Sequence, residues 1–189
     1  MRRPLSRFRD AIAAEPRSAG HAELFPLEYP LFPVPRIAVL GAEVRPEPGV
    51  LCFPKWTACQ LSALRPRALA GSWREISNAG RMASLGMLEL PDLCYPVIVF
   101  SDPSVAPLHE RQHAMLWDWF GLPAYEQIRT ASGRLLAYEC DARDGFHMAP
   151  GIDPSEFGGI IETRPCPCGA SEPLVRMASA RRALVAAGT

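Results

Sequence analysis

The stretch that decides the fold is YPVIVFSDPSVAPLHERQHAMLWDWFGLPAYEQI, residues 95–128. It opens on a continuous apolar run, Tyr95 to Phe100, rich in β-branched residues. That composition predicts a strand buried on both faces. SDPS closes the run with turn chemistry. Pro107 to Phe120 then shows helical spacing. Leu108, Met115, Leu116, Trp119 and Phe120 supply one apolar side, and Gly121 supplies the stop. Ala124 to Ile128 reads as the next strand. Strand, helix and strand in that order build an α/β sheet.

Upstream, Ile37 to Val44 reads as a short strand, RPEPG as a turn and Val50 to Phe53 as a second strand. Residues 55–64 are expected to be helical until Arg65 and Pro66 break them. Ala68 to Ala70 is short and apolar, with no assignment. Trp73 to Leu85 has helical spacing, Ser72 as N-cap, Glu75 as its capping-box partner and Gly86 as the stop. Downstream, Leu135 to Cys140 and Phe146 to Ala149 read as two arms of a hairpin across DARDG. Gly159 to Thr163 reads as a further strand. The expected architecture is therefore α/β: a sheet flanked by helices, followed by a strand-rich hairpin region.

The ends differ from this middle. Residues 1–22 read as a basic tail with no apolar period. Residues 23–36, ELFPLEYPLFPVPR, carry prolines that forbid a regular helix or a central strand. They are expected to form an extended strap over the core, or a docking segment for a partner. One α/β domain is expected over 37–177, with residues 178–189 as a C-terminal tail.

The chain has 189 residues, 48 % of them hydrophobic, enough for a real core. Twenty basic residues balance twenty acidic ones, so charge gives no reason to expect nucleic acid or an anionic membrane as partner. No run approaches a transmembrane length. The N-terminal arginines are not followed by an apolar signal segment, and a cytoplasmic location is expected. Nineteen of the basic residues are Arg and one is Lys, Lys55. No Gly-rich loop precedes that lysine and no GxSxG elbow occurs, so neither a phosphate loop nor a marked serine nucleophile is present.

The sharpest chemistry lies in the last third. Cys140, six residues, His147, eighteen residues and then Cys166-Pro167-Cys168-Gly169 give three thiols and one imidazole, a full tetrahedral set for zinc. Cys140 and His147 sit on the two hairpin arms, and Cys166 and Cys168 on one tight knuckle. Zinc would tie knuckle to hairpin. A closed four-ligand site leaves no position for substrate, so it would be structural. On spacing alone, a buried thiol, a surface histidine and a plain turn remain the alternative. Cys52, Cys59 and Cys94 read as core thiols, and Trp73, Trp117 and Trp119 as core aromatics.

His109, Glu110 and His113 formally spell HE-x-x-H, which in zinc proteases supplies two ligands and a general base. These three are the catalytic candidates. Against that stands the simpler reading of an exposed polar helix face.

From about Leu64 to Met177 the chain resembles the phenylacetate–CoA ligase branch of the adenylate-forming enzymes. LRPRALAGSWREI (64–76), VIVFSDPSVAPLHERQHAMLWDWFGLPAYEQ (97–127), LLAYECDARDGFHM (135–148), GGIIET (158–163) and PCPCG (165–169) carry the likeness. The resemblance implies a ligase-type sheet and a structural zinc at the Cys and His positions. It also implies ATP machinery that this chain departs from. No Ser/Thr/Gly-rich phosphate loop precedes residue 64. Where the family has Tyr-Gly-x-x-Glu, with a Mg²⁺-binding Glu, this chain has Tyr125-Glu126-Gln127-Ile128-Arg129. The segment ending in the ribose-binding Asp is missing between Thr163 and Cys166. No Lys follows residue 177.

Set against the family, the expectation is a non-catalytic, zinc-stabilised remnant acting as a binding or accessory subunit, with a protein partner or a second copy of itself. Two alternatives stay open. One is a small hydrolase or transferase using the former aryl-acid cleft for an aryl or acyl small molecule. The other is a partial ligase completed in trans.

Overall fold

The structure is a computed structural model that describes residues 24–27, 29, 35–153, 159–162 and 164–177. The tails at 1–22 and 178–189, and half of the Pro-rich strap at 23–36, lie outside the described residues.

Among the described residues the strands are β1 (Ile37–Leu40), β2 (Val50–Phe53), β3 (Ala68–Ser72), β4 (Val97–Ser101), β5 (Ala124–Arg129), β6 (Leu135–Glu139), β7 (Phe146–Met148), β8 (Gly159–Glu162) and β9 (Leu174–Met177). The helices are α1 (Ala58–Leu64), α2 (Trp73–Ser84) and α3 (Glu110–Phe120). The strands form one mixed sheet in the order β2-β1-β3-β4-β5-β6-β7-β9-β8. β2, β1, β3, β4 and β5 run parallel; from β5 onward every pairing is antiparallel. The parallel half is the crossover part of the sequence, and the antiparallel half is the hairpin part.

The two faces of the parallel half bury different partners. Ala38, Leu40, Leu69, Val97, Val99 and Ala124 pack against Leu61 of α1, Ile76 and Ala79 of α2 and Leu116 of α3. Ile37, Val39, Ala68, Ala70, Ile98 and Tyr125 form the other face, covered by Leu27 of the strap and Val44. The described strap residues are tied down by polar contacts. Tyr29 Oη donates to Pro96 O at 2.9 Å, and the Arg45 amide donates to Phe25 O at 2.9 Å.

Local chemistry sets the boundaries. Thr57 caps α1 with a full capping box to Gln60. Arg65 ends it in the left-handed region, φ 52°, its amide donating to Leu61 O at 3.1 Å, and Pro66, which disfavours a helical residue before it, follows. Ser72 caps α2 as expected, but Glu75 does not complete the box: its carboxylate accepts from Trp56 Nε1 at 2.8 Å.

Several expectations are corrected. The helix expected from Pro107 begins at Glu110. The first strand ends at Leu40 rather than Val44, at Gly41 with φ 68°. ALAGS, left unassigned, is β3, an interior strand between β1 and β4. Its small side chains have low strand propensity, but contact distance requires them: a Cβ on Gly71 would lie 2.7 Å from Leu40 O. Leu174–Met177 is a further strand that was not expected. Cys59 and Cys94 are exposed rather than core thiols, and Trp117 is 57 % exposed rather than a core aromatic.

Candidate metal centre

β9 inserts between β7 and β8, and this pairing creates the site. β6 and β7 pair with Tyr138 opposite His147, and β7 pairs with β9 with His147 opposite Leu174. The segment just before β9 is the Pro-Cys-Pro-Cys-Gly knuckle, so it is delivered to the hairpin. Cys140 follows the last residue of β6. In the loop between the arms, Gly145 holds φ 137°, and a Cβ there would meet Val175 O at 3.1 Å. At the knuckle Gly169 holds φ 82° and donates its amide to Cys166 O at 3.0 Å. This tight turn brings two thiols to one side.

The result is a four-donor cluster. The Sγ atoms of Cys140, Cys166 and Cys168 and one ring nitrogen of His147 all lie within 4.8 Å of one another. Cys140 Sγ and Cys166 Sγ are 3.5 Å apart, and Cys168 Sγ is 3.2 Å from His147 Nε2. Tetrahedral zinc, with bonds of about 2.3 Å to sulfur and about 2.0 Å to nitrogen, places neighbouring donors roughly 3.5–3.8 Å apart. The cluster has the donors and the spacing to hold a metal ion.

Surrounding contacts orient the ligands. His147 is fully buried, and its ring packs on Tyr138 with centroids 5.5 Å apart. Its Nδ1 lies 3.3 Å from Glu172 O, a contact that places the proton on Nδ1 and leaves the Nε2 lone pair toward the thiols. The Ala170 amide donates to Cys168 Sγ at 3.4 Å, which with its thiol neighbours lowers the Cys168 pKa. Burial pushes the Cys140 thiol up to about 12. A dication at this point would favour the thiolate form of the cysteines. Outside the cluster, Arg164 and Arg176 each bridge Asp144 and Glu162, linking the hairpin loop, β8, the knuckle and β9.

The HE-x-x-H residues are not arranged as one helical face. His109 is the N-cap of α3: its Nδ1 accepts from the Gln112 amide at 3.2 Å. Glu110 is exposed. His113 alone turns inward, with Nε2 3.9 Å from Glu139 Oε1. Its Nδ1 is buried without a hydrogen-bond partner among the described residues. Burial lowers the His113 pKa, helped by Arg143 and His109.

Sequence reasoning missed the group that His113 joins. Glu126 is fully buried; its carboxylate accepts from Ser101 Oγ and from the Leu108 amide. Its own amide donates to Glu139 Oε2 at 2.8 Å. Burial raises both carboxyls, Glu139 to about 7. The available signal was the polar content of AYEQIR in a strand flanked by strands, since every position of β5 is buried. Beside this group, a cavity of 710 Å³ opens between the strap and the hairpin, walled by Tyr29, Tyr125, Tyr138, Gln127, Ile152 and Glu139.

Arg129 occupies the place where the resemblance implies a Mg²⁺-binding Glu. It is 5 % exposed. Its guanidinium donates to Gln127 Oε1, Gly133 O and Pro26 O, and lies 4.9 Å from the centroid of the Phe100 ring. A cation here fastens the strap to the sheet.

Comparison with known proteins bears on this arrangement at the level of the fold. Its structural neighbours are acyl- and aryl-CoA ligases. An open conformation of 2-hydroxyisobutyryl-CoA ligase, in complex with 2-HIB-AMP and CoA, matches with a TM-score of 0.52 and 11 % identity over 74 % of this chain and 43 % of the ligase. A benzoate CoA ligase from Burkholderia xenovorans LB400 matches with a TM-score of 0.39 and 14 % identity over 70 % of this chain and 28 % of that one. The chain thus spans less than half the length of either ligase. No family model and no curated protein matches the sequence. No helix among the described residues is long and apolar enough to cross a membrane.

Proposed function

We propose that the chain is a zinc-clasped, non-catalytic relative of the phenylacetate–CoA ligase type of adenylate-forming domain, working as a binding or accessory subunit. The observation that carries the zinc assignment is the convergence of Cys140, His147, Cys166 and Cys168, with His147 held through its second nitrogen. Three thiols with one imidazole favour zinc over hard cations. Four protein ligands close the shell, so the role is to hold the knuckle against the hairpin. Reduced thiols suit the cytoplasm.

Arg129 supports the loss of adenylation. Holding the Mg²⁺ of Mg·ATP takes a protein carboxylate, and a buried guanidinium in its place repels the metal ion. The partner role is supported by β8, an edge strand of the sheet among the described residues, where Ile160 is 63 % and Ile161 50 % exposed. Unpaired edges with apolar side chains accept a further strand, from another protein or from a second copy.

Two measurements test this reading. Metal analysis is expected to give about one Zn²⁺ per chain, lost when Cys166 and Cys168 are both replaced by Ser. Zinc-free protein after reconstitution would remove the clasp. Mg²⁺-dependent ATP–pyrophosphate exchange is expected to be absent; its presence would overturn the non-catalytic assignment.

A second reading, a small hydrolase or transferase taking an aryl or acyl molecule, is favoured by the tyrosine-walled cavity and the His113–Glu139 pair beside it. Its test is saturable binding of benzoate or a short acyl ester that is lost on Tyr138→Ala.

A further inference from the structure

A second recessed surface lies between α2 and α3, on residues that belong neither to the metal cluster nor to the strap. Trp73 and Trp119 stack there with ring centroids 6.3 Å apart and planes 29° apart. Neither indole is fully buried. Trp119 reaches α2 because Gly80 has no side chain: a Cβ at that position would lie 2.4 Å from Trp119 Cε3. The two indoles and Met115 border a groove of 650 Å³ whose rim carries Arg74, Asn78 and Arg81.

Two arginines face one acid around this apolar floor. Arg74 and Arg81 are exposed. Arg81 donates to Asn78 Oδ1 at 3.2 Å; the Arg74 carbonyl accepts from Ser77 Oγ, and its guanidinium has no hydrogen-bond or ion-pair partner among the described residues. The acid lining the groove, Glu75, already accepts from Trp56 Nε1. Seven residues of helix separate the two arginines by about 10.5 Å along the axis. An extended peptide presents residues i, i+2 and i+4 on one face, so carboxylates four residues apart span about 13 Å, within reach of the two long arginine side chains.

We propose that this groove docks an acidic segment of a partner protein, an extended peptide with an aromatic anchor midway between two carboxylates four residues apart, all three on one face. The anchor enters between Met115 and the indoles, and the carboxylates meet Arg74 and Arg81, whose planar forks suit them. A second copy of this face is disfavoured, because it would set arginines against arginines. Single-stranded nucleic acid also stacks on Trp and pairs with Arg. It needs a basic track along its backbone, which two arginines on a chain of zero formal net charge do not supply. This deepens the accessory-subunit reading by naming the chemistry of its partner. Its failure would leave zinc content and the absence of pyrophosphate exchange where they stand.

The test uses the full chain and calorimetric titration with three synthetic octapeptides. The first carries two Asp four residues apart with Phe midway between them; the others replace both Asp by Asn or by Lys. The Asp peptide is expected to bind at least tenfold more tightly than the Asn peptide. The double charge reversal Arg74→Glu/Arg81→Glu, on exposed helix positions, is expected to keep the circular dichroism of the parent. It should lose the Asp peptide at least tenfold and gain the Lys peptide. Equal binding of Asp and Asn peptides, or indifference to the reversal, would overturn the proposal. So would oligo-dT binding more tightly than the Asp peptide, or a dimer that the reversal dissociates.

Discussion

Replacing Arg129 tests both the architecture and the functional reading. The side chain is 5 % exposed and satisfies three acceptors: Gln127 Oε1 at 2.8 Å, Gly133 O at 2.8 Å and Pro26 O at 3.2 Å. Hydrogen bonds to a charged group contribute about 1.5–3 kcal/mol each. Three would contribute roughly 5–9 kcal/mol gross, but the cost of burying the guanidinium offsets several of these. Arg129→Met removes the cation and strands the acceptors, and a net loss of about 3 kcal/mol follows. At about 2–4 °C per kcal/mol for a chain of this size, Tm should fall by roughly 6–12 °C. Arg129→Glu restores the carboxylate the resemblance implies, yet aims it at three oxygens. It should cost more than about 4 kcal/mol and restore no nucleotide binding. Urea denaturation followed by circular dichroism measures the first effect. Hydrogen exchange at the Arg45 amide, which is bonded to Phe25 O, measures loosening of the strap. A Met variant within about 0.5 kcal/mol of the parent would refute the anchoring role. A Glu variant that binds Mg·ATP would refute the argument that this position has left nucleotide chemistry.

Gly80→Ala gains about 1 kcal/mol of helix propensity but drives a Cβ into the Trp119 ring, where overpacking costs about 1–3 kcal/mol. Denaturation should show a net loss of about 1 kcal/mol, and a stabilised variant would mean Trp119 does not lie against α2. Glu126 is raised by burial, so the folded chain holds more protons than the unfolded one just above the ordinary carboxylate range, and stability falls as pH rises through that window. Glu126→Gln keeps bonds to Ser101 and Leu108 and should flatten that slope and raise the urea midpoint at pH 8; an unchanged pH profile would count against a buried titrating group. Because its ligands must lose protons, Zn²⁺ binding should strengthen with rising pH and release protons, seen as buffer-dependent heat in calorimetry. Chelation should raise hydrogen exchange in β7 and β9 while α2 stays protected; equal loss everywhere would contradict a local clasp.

Much of the parallel half was legible because its signals are local. The apolar run before SDPS, the period of α3 and its closing Gly121 depend on neighbours in sequence. The four donors that could hold a metal ion were legible for a related reason: thiols and imidazole identify themselves by type. What failed depended on packing. Ala68–Ser72 has poor strand propensity and becomes interior because its small residues let β1 and β4 close in. β5 was read correctly as a strand, but the irregularity between Ile128 and Arg129 that helps set the direction of Arg129 has no sequence mark. His109 and His113 share a motif, yet the helix starts one residue after His109, which makes that histidine a cap.

By itself, then, the sequence determined the chemistry available to these residues: strand and helix periods, and three thiols with an imidazole. Tertiary structure decided who meets whom. Only the insertion of β9 beside β7 carries Cys166 and Cys168 to Cys140 and His147. Only the burial of β5 makes Glu126 resist ionisation and turns Arg129 into an anchor. The physical reason is range. Propensity and spacing act over a few residues, whereas strand order and desolvation are set by contacts between segments far apart in the chain.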